Sequence, residues 1–194
     1  MHDAELLFLV NRFRHVLSGL CLAGCEAVSD VALSPLVHVG HPDGDCGKME
    51  LAGKGSRAVL TALNLRGCKG LTEVCLSQLL MTHRTSLQTL DVSHCPAGRD
   101  SVLRELFDGG GGQQLQHLKL IDCGVGDNFA FAVASWPRTL TVLNLCGCCA
   151  VCDFPLARAV QACRVLQELH LASTQCSGVF CAAAQPAACC AAVS

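Results

Sequence analysis

The sequence contains no tyrosine, and aromatic residues make up only 4% of its 194 positions. Proteins that read single-stranded RNA usually stack bases on aromatic rings, so this shortage argues against an RNA partner. Charge is scarce too. Charged residues amount to 15%, and the net charge is −2 with histidine neutral. There is no broad basic field to draw in nucleic acid or an anionic membrane. No apolar run reaches the length of about 20 residues that a membrane-spanning helix needs. The first residues, Met1-His2-Asp3-Ala4-Glu5, carry acid rather than base, and the apolar run at 6–10 is too short for the core of a secretion signal.

Sixteen cysteines are present. In a secreted chain they would suggest a disulfide framework. The lack of a recognisable signal, and the regular placement of five of the cysteines, favour reduced thiols instead. A cytoplasmic location, or a nuclear one, is the expectation.

That regular placement is the main feature of the chain. Leu60-Thr61-Ala62-Leu63-Asn64-Leu65-Arg66-Gly67-Cys68 reads Leu-x-x-Leu-x-Leu-x-x-Cys. The same spacing recurs at Leu17/Leu20/Leu22/Cys25, Leu87/Leu90/Val92/Cys95, Leu115/Leu118/Leu120/Cys123 and Leu140/Leu143/Leu145/Cys148. A degenerate copy, Leu166/Leu169/Leu171/Thr174, lacks the cysteine. The copies begin at 17, 60, 87, 115, 140 and 166, giving steps of 43, 27, 28, 25 and 26 residues. Leu-x-Leu is period-two alternation, so each copy predicts a short strand with one buried face. The cysteine follows where the chain turns inward, and a small thiol suits a core position there. Cys25, Cys68, Cys95, Cys123 and Cys148 are therefore expected to be structural.

Helix-start signals come next, at Ser29-Asp30, Thr72-Glu73, Asp100, Asp127 and Asp153. Small polar caps and first-turn acids satisfy free N–H groups and the helix dipole. Apolar residues at helical spacing follow, such as Val74, Leu76, Leu79 and Leu80, then Val102, Leu103, Leu106 and Phe107. Gly109 to Gly112 and Pro137 supply stops. Each unit predicts strand, turn and helix, and none can bury its apolar strand face without a neighbour.

This pattern resembles the cysteine-containing class of leucine-rich repeats, found in F-box adaptor proteins and in flagellar and cell-cycle proteins. The resemblance covers about residues 17–176. It implies an α/β leucine-rich-repeat solenoid, a ribonuclease-inhibitor-like horseshoe with a parallel inner sheet and outer helices. It also implies a non-catalytic protein-binding role, with two settings open: a substrate-recognising adaptor in ubiquitin ligation, or a structural subunit of a larger cytoskeletal or flagellar assembly. No F-box is visible before the repeats, so the adaptor role would call for another chain or further sequence.

Outside the array, residues 1–16 predict a helix with Leu6, Leu9, Val10, Phe13 and Val16 at helical spacing, either an N-terminal cap or part of a further repeat. Residues 38–57 are an inserted loop, about 17 residues beyond a regular step. Residues 177–194 are expected to form a disordered Ala/Cys-rich tail, with a short helix over 179–184 as its one structured part.

Cys146, Cys148, Cys149 and Cys152 crowd together, but the repeat phase sends Cys148 inward and Cys146 to the open strand face. Tetrahedral zinc coordination requires convergence. His94-Cys95 offers no base directed at the thiol, which a cysteine nucleophile requires. The Gly-Lys pairs at 47–48 and 53–54 miss the phosphate-loop spacing, and Asp43-Gly44-Asp45 is too sparse for a calcium loop. No metal, cofactor, nucleic acid or membrane is expected. The strand face opposite the helices is the candidate site. Its best contact residues are Arg66, Asp91, His117, Lys119 and Asn144, with Asp91 and Lys119 adjacent and able to pair. The expected partner is a protein.

Overall fold

The computed structural model describes residues 2–37, 59–107, 111–131 and 138–177. The class is α/β. The elements run α1 (Asp3–Phe13), β1 (Gly19–Cys21), α2 (Asp30–Leu33), a 3-10 turn (Ser34–Leu36), β2 (Ala62–Asn64), α3 (Glu73–His83), β3 (Thr89–Asp91), α4 (Asp100–Phe107), β4 (His117–Lys119), α5 (Asp127–Phe131), β5 (Val142–Asn144), α6 (Asp153–Ala162) and β6 (Glu168–His170). The six strands form one sheet in chain order, every neighbouring pair parallel.

Register follows the leucines. Leu20, Leu63, Leu90, Leu118, Leu143 and Leu169 stand side by side. They share one core with helix residues such as Leu76, Leu79, Leu103, Leu106, Phe129 and Leu156. Leu20 is only partly covered, because β1 lies at the sheet edge. Pairing also continues beyond the formal strands. The amides of Leu22, Leu65, Val92, Leu120 and Leu145 each donate to a carbonyl of the next unit, that of the residue one position before the register partner, at 2.7–3.1 Å. The amides of Gly24, Gly67, His94, Asp122 and Gly147 do the same at 2.7–2.9 Å.

The inward turn after each strand has one backbone recipe. The residue before the cysteine position takes positive φ: Gly24 (76°), Gly67 (70°), His94 (55°), Asp122 (50°), Gly147 (74°) and Ser173 (58°). The next residue then donates its amide to the carbonyl three back, as in Cys68 to Leu65 at 3.0 Å and Thr174 to Leu171 at 3.3 Å. Glycine adopts this conformation freely, and Asp and His are among the residues that tolerate it best.

The first-turn acids do more than favour the helix dipole. Asp30 accepts from the Thr72 amide (2.9 Å) and hydroxyl (2.6 Å) of the next unit. Asp100 accepts from the Gly126 amide at 2.7 Å, Asp127 from Cys152 at 2.8 Å and Asp153 from Ser177 at 2.8 Å. Asp3 receives both the amide and the hydroxyl of Ser29, which hold its carboxyl below the usual carboxylate range. Each of the carboxylates of Asp3, Asp30, Asp100 and Asp127 thus staples the start of one helix to the residue that precedes the next, and Asp153 reaches forward about one unit in the same way. Glu73 is the exception; it pairs with Arg99 at 3.1 Å instead.

Pro35 ends α2 after one turn, as its missing donor requires. Two apolar expectations are corrected. In α1 only Leu6 and Val10 are buried, while Leu9, Phe13 and Val16 are exposed, because α2 covers one side of the helix and the helix ends at Phe13. Val74 is 66% exposed and Cys75 takes the inward position. With Thr72 as cap, the phase of α3 turns Cys75, Leu76, Leu79, Leu80 and His83 inward. The insertion at 38–57, the glycines at 109–110, Pro137 and the tail from 178, with its expected helix at 179–184, lie outside the described residues.

Two glycines of the turn column differ in a testable way. A Cβ on Gly147 would sit 1.8 Å from Asp122 Oδ1, whereas one on Gly24 would meet nothing within 4 Å. Both alanine variants carry the left-handed penalty of about 1–2 kcal/mol. Gly147→Ala must also displace the Asp122 carboxylate. Chemical denaturation should therefore show Gly147→Ala as the less stable of the two, by roughly a further 1 kcal/mol.

Candidate interaction surface

Period-two alternation turns the residues flanking each central leucine away from the core. Register then sets them in columns across the sheet. Gly19, Ala62, Thr89, His117, Val142 and Glu168 form the first column; Cys21, Asn64, Asp91, Lys119, Asn144 and His170 form the second. Arg66, Ser93, Ile121 and Cys146 lie two residues beyond the second column, just past the ends of β2 to β5.

The five sequence-derived contact residues separate into two kinds. Arg66, His117 and Lys119 are exposed. Among the described residues no acid lies within ion-pair distance of Arg66 or Lys119. Asn144 is half-buried, and its Oδ1 accepts from the Cys146 amide at 3.0 Å. Asp91 corrects the expectation of an open carboxylate. It is 8% exposed, and Oδ1 accepts from the Ser93 amide at 3.0 Å. Its expected pair with Lys119 is not formed, although the two are in register. Asn64 repeats the arrangement toward the Arg66 amide at 3.0 Å. These are Asx turns, in which a short side chain caps the backbone two residues on as the strand ends. The second column thus stabilises the turns on β2, β3 and β5. Lys119 lacks the acceptor, and on β4 the Ile121 amide is taken by Ser93 Oγ of the neighbouring unit at 3.1 Å. That bond accompanies the full burial of Ser93.

The remaining ionisable groups of this face are engaged. Asp122 Oδ2 lies 3.3 Å from His94 Nδ1, and Glu168 Oε2 lies 3.4 Å from His170 Nε2. At the flanking turns Lys69 pairs with Glu26 at 2.8 Å.

The repeat cysteines have structural partners. Cys68 Sγ donates to Leu22 O (3.3 Å), Cys95 to Cys68 O (3.3 Å), Cys123 to Val92 O (3.1 Å) and Cys148 to Leu120 O (3.0 Å). Each reaches back one unit. Cys25, in the first copy, is half-buried against the core. Burial pushes Cys68, Cys75, Cys123 and Cys163 up to about 12 and Cys148 to about 11, and it raises Cys95 as well. A thiol held neutral is a poor nucleophile and a poor metal ligand. His94 faces Asp122 while Cys95 donates inward, so the two do not form a nucleophile–base couple. In the Cys146–Cys152 stretch, Cys148 is buried, Cys149 is exposed, and Cys152 caps α6 with its Sγ 3.5 Å from Gln175 Oε1. Among the described residues no three His, Cys, Asp or Glu side chains gather closely enough to hold a metal ion. The Gly-Lys pairs at 47–48 and 53–54 and Asp43-Gly44-Asp45 lie outside those residues. No described helix is long and apolar enough to cross a membrane.

The carboxylate staples and the Asx turns were missed from sequence. The staples had a signal: an acid stands at the first position of each described helix, Asp in five of the six and Glu73 in α3. No protein-family model and no curated protein matches this chain.

The raised thiols predict a pH dependence. A cysteine with an unfolded-state value near 9 and a folded-state value near 12 is protonated in both states below pH 9. Above pH 9 the unfolded chain releases the proton first, so stability is lost as pH rises through 9 to 12. Each such thiol contributes on the order of 1 kcal/mol per pH unit in that window. Urea midpoints measured from pH 8 to 10.5 should be flat to about 9 and then fall. A Cys68→Ala, Cys123→Ala variant should start lower and fall less steeply.

Proposed function

We propose that the chain is a leucine-rich-repeat solenoid, a ribonuclease-inhibitor-like horseshoe similar to the cysteine-containing repeats of F-box adaptors, and that it acts as a non-catalytic protein-interaction module. One observation carries the reading: a register-locked parallel sheet leaves one face open, with the cations Arg66 and Lys119 unpaired there among the described residues. The repeat spacing and the cysteine turn support the repeat class. The buried, neutral repeat thiols support a structural rather than chemical use of cysteine, and a cytoplasmic or nuclear setting suits them. Stacked units of this kind commonly bind through the wide surface that their sheet creates.

Recognition of a substrate for ubiquitin ligation is the form of this role that the resemblance implies. A structural place in a cytoskeletal or flagellar assembly is the second form, and one feature favours it: α1 and the turn after it expose Phe8, Leu9, Phe13 and Val16, apolar side chains able to join a larger body.

The test is quantitative capture from native cells by wild type and by Arg66→Glu with Lys119→Glu. Both positions are exposed, so the double variant should stay within about 0.5 kcal/mol of wild-type stability. It should lose a defined set of captured proteins. Ligase subunits in that set would identify an adaptor, and large-assembly components a structural subunit. Identical capture by both proteins would remove the open sheet face as the site.

A further inference from the structure

The state of each charge on the open face specifies more than a protein partner. Every described acid on or beside that face is already engaged. Asp91 is buried and capped onto the Ser93 amide, Asp122 faces His94, and Glu168 faces His170. At the flanking turns Glu26 is paired with Lys69, and at the start of α3 Glu73 is paired with Arg99. Arg66 and Lys119 are exposed with no acid in reach among the described residues, and exposed His117 lies on the same strand as Lys119. Among the described residues the unmet charge of this face is positive, although the chain as a whole carries −2.

The surroundings of these cations fix the shape of what could meet them. Between Arg66, just past β2, and Lys119 on β4 lie only Asp91 and Ser93, both buried, with half-buried Asn64 and Thr89 beside them. Two strand spacings across and two residues along place the two cation backbones about 12 Å apart. An extended peptide rises about 3.3 Å per residue and repeats its facing side every second residue. Acids four residues apart would therefore reach both cations.

We infer that the open sheet face binds an extended acidic peptide segment, laid over β2 to β4, with one carboxylate at Arg66 and a second, four residues away, at Lys119. This rests on the interaction-module reading above and adds the chemistry of the partner. Arginine holds the first carboxylate through its fork of donors, and lysine meets the second as a point charge.

The test uses labelled synthetic nonapeptides with Glu at positions 3 and 7 and varied neutral residues elsewhere, beside a matched set with Lys at both positions. Fluorescence anisotropy in 50 mM NaCl reads the binding. The Glu set should bind at least tenfold more tightly than the Lys set, and should weaken as salt screens the contacts. Arg66→Glu and Lys119→Glu should each weaken it about tenfold. The two together should invert the preference toward the Lys set, a rescue that simple misfolding would not produce. Arg158→Glu, the same charge change on exposed α6, should leave binding unaltered.

Failure to bind the Glu set overturns the inference. So does equal binding of both sets; if Thr89→Trp then abolishes that binding, the open face remains a binding site and only its acid preference falls. Tighter binding of an oligouridine nonamer with the same dependence on Arg66 and Lys119 would also overturn it, in favour of a nucleic-acid ligand.

Discussion

The register of the six strands is the constraint on which the rest depends. A three-residue strand with a single inward leucine buries almost nothing alone. Leu63 becomes buried because Leu20 and Leu90 flank it, and Leu118 because Leu90 and Leu143 do. The turns then need one left-handed residue in each unit so that the following cysteine enters the core. Once there, its thiol bonds a carbonyl of the preceding unit, and in three cases (Leu22, Val92 and Leu120) that carbonyl also closes its own unit's turn. The aspartates tie the helix side in the same direction of travel. Backbone ladder, thiol and carboxylate are three separate links between the same pairs of units, so a slip in one would break the others.

The open face inherits this geometry. The columns on the open face exist because the leucine column does, and the spacing of Arg66 and Lys119 is a property of the ladder rather than of either side chain. The face is also economical in its use of polar groups. Short acceptors at Asn64, Asp91 and Asn144 close strand ends, and longer cations extend past them toward solvent. A single column therefore contains both structural and exposed residues, which accounts for the different placements of Asp91 and Lys119 despite their adjacency.

Much of the architecture was legible from the chain itself. The Leu-x-Leu spacing located all six strands, because alternation and burial are tied by backbone geometry and little else competes over three residues. Cap residues located the helix starts for a similar reason. The fine structure of the site was less legible. Asp91 reads as an exposed charge by alternation alone, and only the turn two residues later commits it. Ser93 has the same pattern as Arg66, yet it is fully buried, with its hydroxyl taken by the next unit's amide. The apolar stripe of α1 signals a helix without revealing how much of it a neighbour covers, so Leu9 and Phe13 were misplaced. In each case the deciding contact comes from another unit, some 25 or more residues away, or from a turn whose φ the sequence does not show.

Amide-resolved hydrogen exchange tests the central claim most directly. The amides of Leu22, Leu65, Val92, Leu120 and Leu145 all donate from one unit to the next. If register between units carries the fold, these five should fall in the slowest-exchanging class, with similar protection and a shared response to mild denaturant. Exchange of any interior member, such as Val92 or Leu120, at the rate of an unstructured chain would contradict the account, because the ladder would then be broken in the middle of the face it is meant to hold.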